Sequence, residues 1–510
     1  MKKYFMGVDI GTYESKGVLV GEDLRIAASF AVPHTMDNPR PNYFEQDAEK
    51  IWWGDFCRIS RGLMESSGIP ASGIACVGSS VLGCDCLPVD ENCSPLRPAI
   101  LYGIDARAEP QIARLRRELG EDGVASLFGH APCSDDVAAK ILWVRETEPE
   151  IFARTAKFLT GSSYLTAKLT GEYRIDHYLA KSSFHPLYRA DGSIDSERCG
   201  MFCRADQLAE CAVVTDIAGH VTPAAAAQTG LCEGTPVIVG TGDSTAESVA
   251  GGLVEPGSLL MQFGSTMFYI YCVDSELEAC SADHFPGSSV FTVPGTYAVA
   301  GGTNCCGILT RWVRDTFYAP ELAAEASGGP NAYSVMAREA EKVAPGSDGL
   351  VILPYFYGER SPIDDPQARG VIFGLTGNHG RSQINRAALE AAAYSARQHL
   401  RLFEKHGLVP GNVIIAGGGT KNPVWMQIVA DVLQKPVSVA SDWQTASYGD
   451  AGMAAIGCGA LEDFAAFRRA MPDCRTAVPD PAKAGVYAKY ADIYDSLYPA
   501  TRALMHDIGR

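Results

Sequence analysis

An acid that follows a buried strand is the first candidate for chemistry in this sequence. The β-branched run at residues 237–239 predicts a strand, and Gly242, Asp243 and Ser244 follow it where a helix is predicted to begin. Ligands of α/β folds bind beyond the carboxyl ends of strands, so a carboxylate at this point is placed for catalysis. Acids also cap helices. Asp243 is therefore a candidate catalytic group, and helix capping is the alternative.

A predicted hairpin at residues 4–20 carries a second acid at its turn. Gly11 and Thr12 leave backbone N–H groups free to face an anion. Asp9, just before them, could hold a hydrated Mg²⁺ through water, because that ion keeps most of its hydration shell. The alternative interpretation is a plain surface hairpin with an acid at its mouth.

A second predicted hairpin, at residues 258–270, repeats this design without the leading acid. Its turn contains Gly264, Ser265 and Thr266. Two hairpins of one design, each opening half of the chain, indicate a duplicated architecture. The two turns could then close on opposite sides of a polyphosphate.

A triple-glycine turn, Gly417 to Gly419, lies between a predicted strand at residues 413–416 and a predicted helix. A turn without side chains lets a flat or phosphorylated ligand approach the backbone. The alternative is a tight connection that needs a positive φ angle.

An acid and a base lie two residues apart at the end of the apolar run 98–101. Asp105 and Arg107 could hydrogen-bond a polyol, and they could equally pair with each other for structural reasons.

Composition sets the class of protein. A chain of 510 residues exceeds the size of one usual core, so two large domains are expected. The net charge of −17 argues against nucleic-acid binding.

The sixteen cysteines are scattered without a Cys-x-x-Cys pair, which favours buried thiols over metal or disulfide roles. No apolar leader and no membrane-length apolar run are present, and the sequence predicts a cytoplasmic protein without membrane contact.

Common catalytic motifs are missing from the sequence. There is no Walker A loop, no Rossmann glycine fingerprint, no His-Glu-x-x-His and no Gly-x-Ser-x-Gly. Hydride transfer, zinc hydrolysis and serine hydrolysis are therefore disfavoured. Glycoside hydrolysis stays open, because paired carboxylates meet in space and need no fixed spacing.

Taken together, these stretches resemble the FGGY family of carbohydrate kinases. The most specific piece is the pair 370–375 and 383–390, which is similar to the family's second signature. Residues 9–12 resemble its first phosphate loop, and residues 264–266 resemble its second. The glycines at 417–419 with Asn422 look like its adenosine segment, and Gly242-Asp243 matches its catalytic base. The matches follow the family's order along nearly the whole chain.

The resemblance implies an α/β, duplicated ribonuclease H-like fold of the actin/Hsp70 ATPase type. Its two domains, 1–245 and 246–510, would hold ATP and Mg²⁺ in an interdomain cleft. Asp243 would be the general base that phosphorylation of a sugar or polyol hydroxyl needs, and xylulose- or ribulose-like ketoses are the expected acceptors. Asp9 and Asp243 would hold the metal. The remaining cofactor-binding residues expected are Gly11, Thr12, Lys16, Gly264, Ser265, Thr266, Gly307, Gly417, Gly418, Gly419 and Asn422. A homodimer is possible.

The expected sugar site departs from the family's pattern. The residues implied there are Gly83, Cys84, Asp85, Tyr102, Asp105, Arg107 and Asp243. Xylulose kinases carry a Gly-Gln-Met-His-Gly loop where this chain has residues 81–85. The family's Trp-Asn-Asp-x-Arg becomes a segment one residue longer that begins with Tyr102. Altered hydrogen-bonding groups imply an altered sugar. The alternative function is a non-catalytic nucleotide- or sugar-responsive binding protein of the same fold.

Overall fold

The computed structural model of this chain describes residues 2–441 and 444–508, which form two compact units. The first unit contains the chain up to Val254, together with Val290–Thr296 and residues 444–472. The second contains Glu255–Ser289 and residues 297–441 and 473–508. Each unit is thus assembled from more than one stretch, and a domain boundary at residue 245 stays a prediction.

The strands are numbered in chain order. They are β1 (Tyr4–Ile10), β2 (Glu14–Gly21), β3 (Ile26–Pro33), β4 (Asp37–Arg40), β5 (Tyr43–Gln46), β6 (Ile74–Val81), β7 (Leu87–Val89), β8 (Ala99–Ile100), β9 (Lys157–Leu159), β10 (Arg174–Asp176), β11 (Glu210–Ala212), β12 (Ile217–His220), β13 (Pro236–Ile238), β14 (Thr241–Gly242), β15 (Ser258–Phe263), β16 (Met267–Val273), β17 (Ser289–Val290), β18 (Tyr297–Thr303), β19 (Val351–Leu353), β20 (Val371–Phe373), β21 (Asn412–Ala416), β22 (Val437–Val439) and β23 (Arg475–Ala477).

The α-helices are numbered in the same way. They are α1 (Gly54–Ser67), α2 (Glu109–Phe128), α3 (Val137–Thr147), α4 (Pro149–Arg154), α5 (Gly161–Thr170), α6 (His177–Lys181), α7 (Ser196–Cys199), α8 (Pro223–Thr229), α9 (Asp243–Ala250), α10 (Gly307–Phe317), α11 (Ala319–Ala326), α12 (Ala332–Glu341), α13 (Arg381–Lys405), α14 (Pro423–Leu433), α15 (Ala446–Gly457), α16 (Phe464–Ala470) and α17 (Ala484–Ile508).

The first unit is built on a mixed sheet in the order β12-β13-β6-β1-β2-β3, with β14 also paired to β6. β1 and β2 form the predicted hairpin, and β6 runs parallel to β1. The carboxyl ends of β1, β6 and β14 therefore lie at one edge of the sheet, because parallel strands end together. Asp9, Ser80 and Asp243 are at or next to these strand ends.

The second unit repeats this plan in the sheet order β18-β16-β15-β21-β22-β23. β15 and β16 form a hairpin, β18 joins β16 in antiparallel pairing, and β21 lies parallel to β15. The relation of β15, β16, β18 and β21 matches that of β1, β2, β3 and β6. The predicted duplicated α/β fold is confirmed.

Helix α15 packs against the first sheet at unusually short range. A Cβ atom built on Gly7 of β1 would lie 1.8 Å from the carbonyl oxygen of Ser447. A Cβ on Gly78 of β6 would lie 2.4 Å from the carbonyl oxygen of Asp450. Only glycine fits such a close approach. The two glycines thereby bring the helix, and the Asp450 side chain with it, onto the ends of the central strands.

Each unit has its own apolar core. In the first, α1 packs on β1, β2 and β3, and Phe56 of α1 is fully buried together with Trp52, which lies just before the helix. In the second, α13 and α14 pack on β15 and β21, and Trp425 and Tyr394 are among the buried rings. Within the described ranges, no helix is long and apolar enough to cross a membrane.

Candidate active site

Asp243 is the first residue of α9 and directly follows β14. Gly242 occupies the cap position, and the Asp243 carboxylate accepts a hydrogen bond of 2.6 Å from the backbone N–H of Ser244. Burial, with a smaller contribution from the charge of Glu247, raises the pKa of Asp243 to about 6. The carboxylate thus contributes to the helix start and is also tuned toward the pKa that a general base near neutral pH needs.

Asp9 lies next to the end of β1, and its environment is also acidic. Burial, together with the charges of Asp243 and Glu247, raises its pKa to about 8 against the opposing hydrogen bond from Ser80. The hydroxyl of Ser80 is 2.9 Å from Asp9 Oδ1. Asp9 and Asp243 are thus electrostatically coupled within the first unit, as expected of acids that share one site.

Asp450 completes this group, and the sequence reasoning missed it. Its Oδ2 is 2.7 Å from the hydroxyl of Ser80, which also contacts Asp9. Ser80 has a single proton, so it can donate to only one of the two acids at a time. Burial raises the pKa of Asp450 well above its usual range, and Asp9 adds to the rise. A protonated Asp450 can therefore donate to Ser80 while Ser80 donates to Asp9.

The donor set at this edge fits Mg²⁺. Asp9 and Asp243 offer carboxylate oxygens, the ligands that Mg²⁺ prefers. Burial is the largest cause of the raised pKa of each acid and neighbouring acids add to it, so the protein by itself disfavours the ionised form of both carboxyl groups. A divalent cation held through its water molecules would supply the missing positive charge.

The turn between β1 and β2 is held by side chains from three other parts of the first unit. Gln46 donates through Nε2 to the carbonyl oxygen of Thr12 at 3.0 Å. His34 contacts the carbonyl oxygen of Gly11 through Nε2 at 3.0 Å and Asp55 through Nδ1 at 2.8 Å. With both carbonyl groups engaged inward, the Gly11–Thr12 turn has a fixed shape. Neither His34 nor Gln46 shows this role by its position in the sequence.

Lys16, predicted to bind the cofactor, is paired with an acid of its own strand. It pairs with Glu14 Oε2 at 2.9 Å, and its side chain is about half exposed. Lys16 lies opposite Asp9 in the hairpin. Its charge lowers the pKa of Asp9, but less than burial, the two neighbouring acids and Ser80 change it.

The second unit contains a cavity of about 1160 Å³ beside its own hairpin turn. Six residues predicted to bind the cofactor line it. They are Gly264, Ser265, Gly307, Gly418, Gly419 and Asn422. Trp425 and Tyr333 contribute aromatic walls. Such a mixture of glycine backbone and aromatic surface is typical of a site for a phosphorylated, flat ligand.

The turn at Gly264 and the start of α10 are locked together by backbone contacts. The N–H of Gly307 donates to the carbonyl oxygen of Gly264 at 2.9 Å. The N–H groups of Cys306 and Ile308 donate to Ser265, each at 3.0 Å. A Cβ on Gly307 would lie 2.5 Å from the Gly264 oxygen, so only glycine fits.

The triple-glycine turn has both of the features that its two interpretations require. Gly417 has φ of 90°, and a Cβ there would lie 2.9 Å from the carbonyl oxygen of Phe263. Asn422 caps α14, with its Oδ1 accepting from the N–H groups of Val424 and Trp425. Gly418 and Gly419, in contrast, face the cavity. The turn is thus a tight connection that also exposes backbone to a ligand.

Asp105 and Arg107 form a buried ion pair. The Nη2 of Arg107 is 2.7 Å from Asp105 Oδ2, and its Nη1 is 2.7 Å from Glu45 Oε1. Asp105 also accepts from the backbone N–H of Phe44 at 2.7 Å. These contacts favour a structural ion pair over a contact with a sugar, because the polar atoms of both residues are engaged within the protein.

The other residues expected at the sugar site follow β6 or lie near the first turn. The Sγ of Cys84 is 3.1 Å from Ser183 Oγ, and Lys140 donates to the Cys84 carbonyl oxygen at 2.6 Å. Asp85 is buried close to them. The hydroxyl of Tyr102 is 3.4 Å from Thr12 Oγ1.

Fold and site together define an α/β phosphotransferase of the actin-like ATPase fold. The chain belongs to the FGGY family of carbohydrate kinases: the family's N-terminal domain matches residues 4–250, and its C-terminal domain matches residues 262–458.

Relatives of this chain differ in the acceptor that they are named for. The chain is 27% identical over 467 residues to a gluconokinase of Bacillus subtilis (strain 168), covering 91% of this chain and 89% of the relative. It is 27% identical over 509 residues to a xylulose kinase of the same organism, covering 98% of each. The crystal structure of xylulose kinase from Rhodospirillum rubrum superimposes with a TM-score of 0.84 at 29% identity, over 99% of this chain and all of the other.

Proposed function

We propose that this protein transfers the γ-phosphoryl group of ATP to a hydroxyl group of a small sugar or polyol, with a xylulose- or ribulose-like ketose as the acceptor class. The observation that carries this proposal is the position of Asp243. It is a buried acid with a raised pKa, next to Asp9, in a chain whose second unit has a nucleotide-sized cavity lined by glycine turns.

Asp243 acts as the general base of this reaction. Its carboxylate accepts the proton of the acceptor hydroxyl as that oxygen attacks the γ-phosphorus and the bond to the β-phosphate oxygen breaks. A pKa near 6 keeps most of the base ionised at neutral pH while leaving it basic enough to take a proton. The hydrogen bond from the Ser244 N–H fixes the direction of the carboxylate.

The remaining site residues position the phosphates. The donors of the first unit are at Thr12 and those of the second at Ser265 and Thr266. The N–H of Gly11, expected from the sequence to face an anion, instead donates to the carbonyl oxygen of Glu14 at 3.1 Å, and the N–H of Gly264 donates to that of Thr266 at 3.0 Å. Asp9 and Asp243 would hold a hydrated Mg²⁺, which neutralises charge on the phosphate oxygens when it is bound. The mobile ammonium of Lys16 can leave Glu14 and reach a phosphate, because both side chains are about half exposed.

The Asp243→Asn variant tests the function. We expect it to form no sugar phosphate while it binds ATP with nearly unchanged affinity, because the amide keeps the shape of the carboxylate but cannot take the proton. Asp122→Asn, at an exposed position of α2, is the matched control and should turn over normally. Product should be measured as acceptor-dependent ADP release and nucleotide affinity by calorimetry. Turnover retained in Asp243→Asn would overturn the assignment.

A cytoplasmic location, where ATP and Mg²⁺ are supplied, fits this reaction. A homodimer stays a prediction, and the mass of the protein in solution by light scattering decides it.

A further inference from the structure

A cysteine, an acid and a histidine meet in the second unit, and none of the three lines the nucleotide-sized cavity. Cys280 and Asp283 lie in the segment between β16 and β17, and His406 directly follows α13. One ligand atom from each residue lies within 4.8 Å of the other two. Asp283 Oδ2 and His406 Nε2 are 2.9 Å apart. A tetrahedral zinc ion holds its ligand atoms about 3.5 Å from one another, so small movements would bring these three atoms into its shell.

Contacts of the backbone and of two rings fix the positions of these residues. The N–H of Cys280 donates to the carbonyl oxygen of Phe285 at 2.9 Å, and the N–H of Phe285 donates back to Cys280 at 3.0 Å. Asp283 lies on the short loop that this pair closes. The buried ring of Phe285 stacks on the imidazole of His406, with ring centroids 4.0 Å apart. The ring pair therefore holds the segment against the helix end, as a preorganised metal site requires.

The carboxylate of Asp283 has capacity for a further cation. Its Oδ1 is buried without a hydrogen-bond partner in the described part of the chain. Its Oδ2 contacts both Lys405 Nζ, at 2.8 Å, and the imidazole of His406. The hydrogen bond from Lys405, with smaller contributions from His406 and Cys280, holds the pKa of Asp283 well below its usual range against the effect of burial. The carboxylate is therefore ionised at neutral pH, which is the form that binds a metal ion.

The end of α13 favours positive charge at this point. The C-terminus of a helix carries partial negative charge, so a cation next to its last turn is stabilised. Lys405 provides such a cation, but its side chain is 65% exposed. Exposed ion pairs contribute little to stability, so Lys405 can turn into the solvent at small cost when another cation takes the carboxylate.

A second group with the same residue types is less suited to a metal ion. His130, Cys133 and Asp136 meet the same distance criterion in the first unit. Both oxygens of Asp136 are engaged, Oδ1 with His130 Nε2 at 3.0 Å and Oδ2 with the N–H of Cys133 at 2.8 Å. This group therefore has no counterpart of the spare Asp283 oxygen, and it provides a matched control.

We propose that Cys280, Asp283 and His406 form a zinc site that clamps the segment after β16 to the end of α13. A thiolate, an imidazole and a carboxylate suit Zn²⁺, whereas Mg²⁺ prefers oxygen ligands alone. On binding, the Cys280 thiol releases its proton to the solvent, neutral His406 coordinates through Nε2, and Lys405 leaves Asp283 with its charge unchanged. Water takes the remaining position of the tetrahedron. The site does not depend on the proposed kinase reaction.

Zinc binding to the full chain, dialysed first against a chelator, tests the site. Calorimetric titration with Zn²⁺, in excess Mg²⁺ so that sites made of oxygen ligands are filled, should show one ion per chain. Cys280→Ser and Asp283→Asn should each weaken the affinity about 100-fold or more, because each removes a ligand. Cys133→Ser, the matched control, should bind as the wild type does. Lys405→Met should bind about threefold more tightly, because no ammonium competes for Asp283.

Co²⁺ is a second probe, and it needs no variant. The wild type with Co²⁺ should show the near-ultraviolet charge-transfer absorption of a cobalt–thiolate bond, which Cys280→Ser should lose and Cys133→Ser should keep. Absence of this absorption in the wild type would overturn the site, as would unchanged zinc affinity in a folded Cys280→Ser protein. Loss of zinc binding in Cys133→Ser alone would place the ion at the other group and contradict the proposal.

Discussion

The hydroxyl of Ser80 lies 2.9 Å from the carboxylate of Asp9. It is the protein's own donor to this acid, and it also contacts Asp450 at 2.7 Å. Ser80 therefore links two buried acids whose pKa values are both raised by burial. The link explains how the first unit tolerates two acids so close together at a point where negative charge is needed for a cation.

Removing this link should destabilise the protein and weaken its use of Mg²⁺. Ser80→Ala leaves both carboxyl groups without that partner, which costs about 1–3 kcal/mol of unfolding free energy. The pKa of Asp9 should rise further, because the Ser80 hydrogen bond is what lowers it. We therefore expect half-maximal turnover to need a higher Mg²⁺ concentration, which a Mg²⁺ titration of the activity measures. Urea unfolding of the same samples measures the loss of stability.

Ser79→Ala is the matched control for Ser80→Ala. Ser79 is the preceding residue of β6, and its hydroxyl is buried without a hydrogen-bond partner within the described ranges. Its removal should leave stability and Mg²⁺ dependence nearly unchanged. Equal effects of the two substitutions would contradict the role given to Ser80.

The acid limb of the pH–rate profile should report Asp243. Burial raises the pKa of this base to about 6, and a protonated carboxyl cannot accept the acceptor proton. We expect kcat/KM to fall as the pH drops below about 6, with roughly a tenfold loss per pH unit in the acid limb. A midpoint near 4, the ordinary value for an aspartate, would contradict a base whose pKa is raised by burial.

Local patterns were enough to predict part of this site. Asp243 and the glycine turns follow strands directly, and Asp9 is the last residue but one of β1, so their positions could be inferred from a few neighbouring residues. Asp450 could not, because only the packing of α15 on Gly7 and Gly78 brings it to Ser80, 370 residues away in sequence.

The hydrogen-bond partners that come from other strands were also not visible in the sequence. The spacing of Asp105 and Arg107 allowed a sugar contact and a structural pair equally. The structure distinguishes them through Glu45 and the Phe44 N–H, which come from β5 and complete the ion pair. Likewise, the contact of His34 with the Gly11 carbonyl depends on the register of β2 with β3, which leads the chain back to the first turn.

Substitution of Gly307 should damage the nucleotide site. In Gly307→Ala the new Cβ would lie 2.5 Å from the Gly264 carbonyl oxygen, so the turn that lines the cavity must move. We expect the KM for ATP to rise about tenfold or more, with a smaller change in the KM for the acceptor, because the shift is confined to the nucleotide side. Steady-state kinetics with each substrate varied in turn measures both constants.

Gly485→Ala serves as the control for Gly307→Ala. A Cβ on this glycine of α17 has no heavy atom within 4 Å among its described neighbours. It should leave both KM values unchanged. A Gly307→Ala enzyme with an unchanged KM for ATP would show that this contact does not shape the nucleotide site.

His34 should affect ATP binding through the first turn. His34→Ala removes the contact of 3.0 Å to the Gly11 carbonyl oxygen, while Asp55 keeps its hydrogen bond from Ser15 at 2.7 Å. One such hydrogen bond contributes about 1 kcal/mol, so the KM for ATP should rise about fivefold. The exposed His220→Ala variant should behave as wild type. A change in thermal stability with no change in the KM for ATP would reduce His34 to a structural residue.

His399 should make the second unit sensitive to acid. It is fully buried in α13, where Nδ1 lies 2.8 Å from the Ser395 carbonyl oxygen, and Nε2 lies 2.9 Å from the Ser361 carbonyl oxygen and 3.1 Å from Ser361 Oγ. Burial lowers its pKa from 6.5 to about 4. Between these values the unfolded chain binds a proton that the folded chain does not, so unfolding becomes easier as the pH falls from about 6.5 to 4.

The expected loss of unfolding free energy from this one histidine is about 2–3 kcal/mol between pH 7 and pH 4.5. Urea unfolding of the wild type, His399→Gln and the exposed control His220→Gln at both pH values measures it. His399→Gln should remove this difference of about 2–3 kcal/mol between the two pH values, even if the substitution lowers stability at pH 7. His220→Gln should keep the difference. Parallel pH dependence in all three proteins would mean that His399 is protonated in the folded state, and its contacts with Ser395 and Ser361 would then have to rearrange.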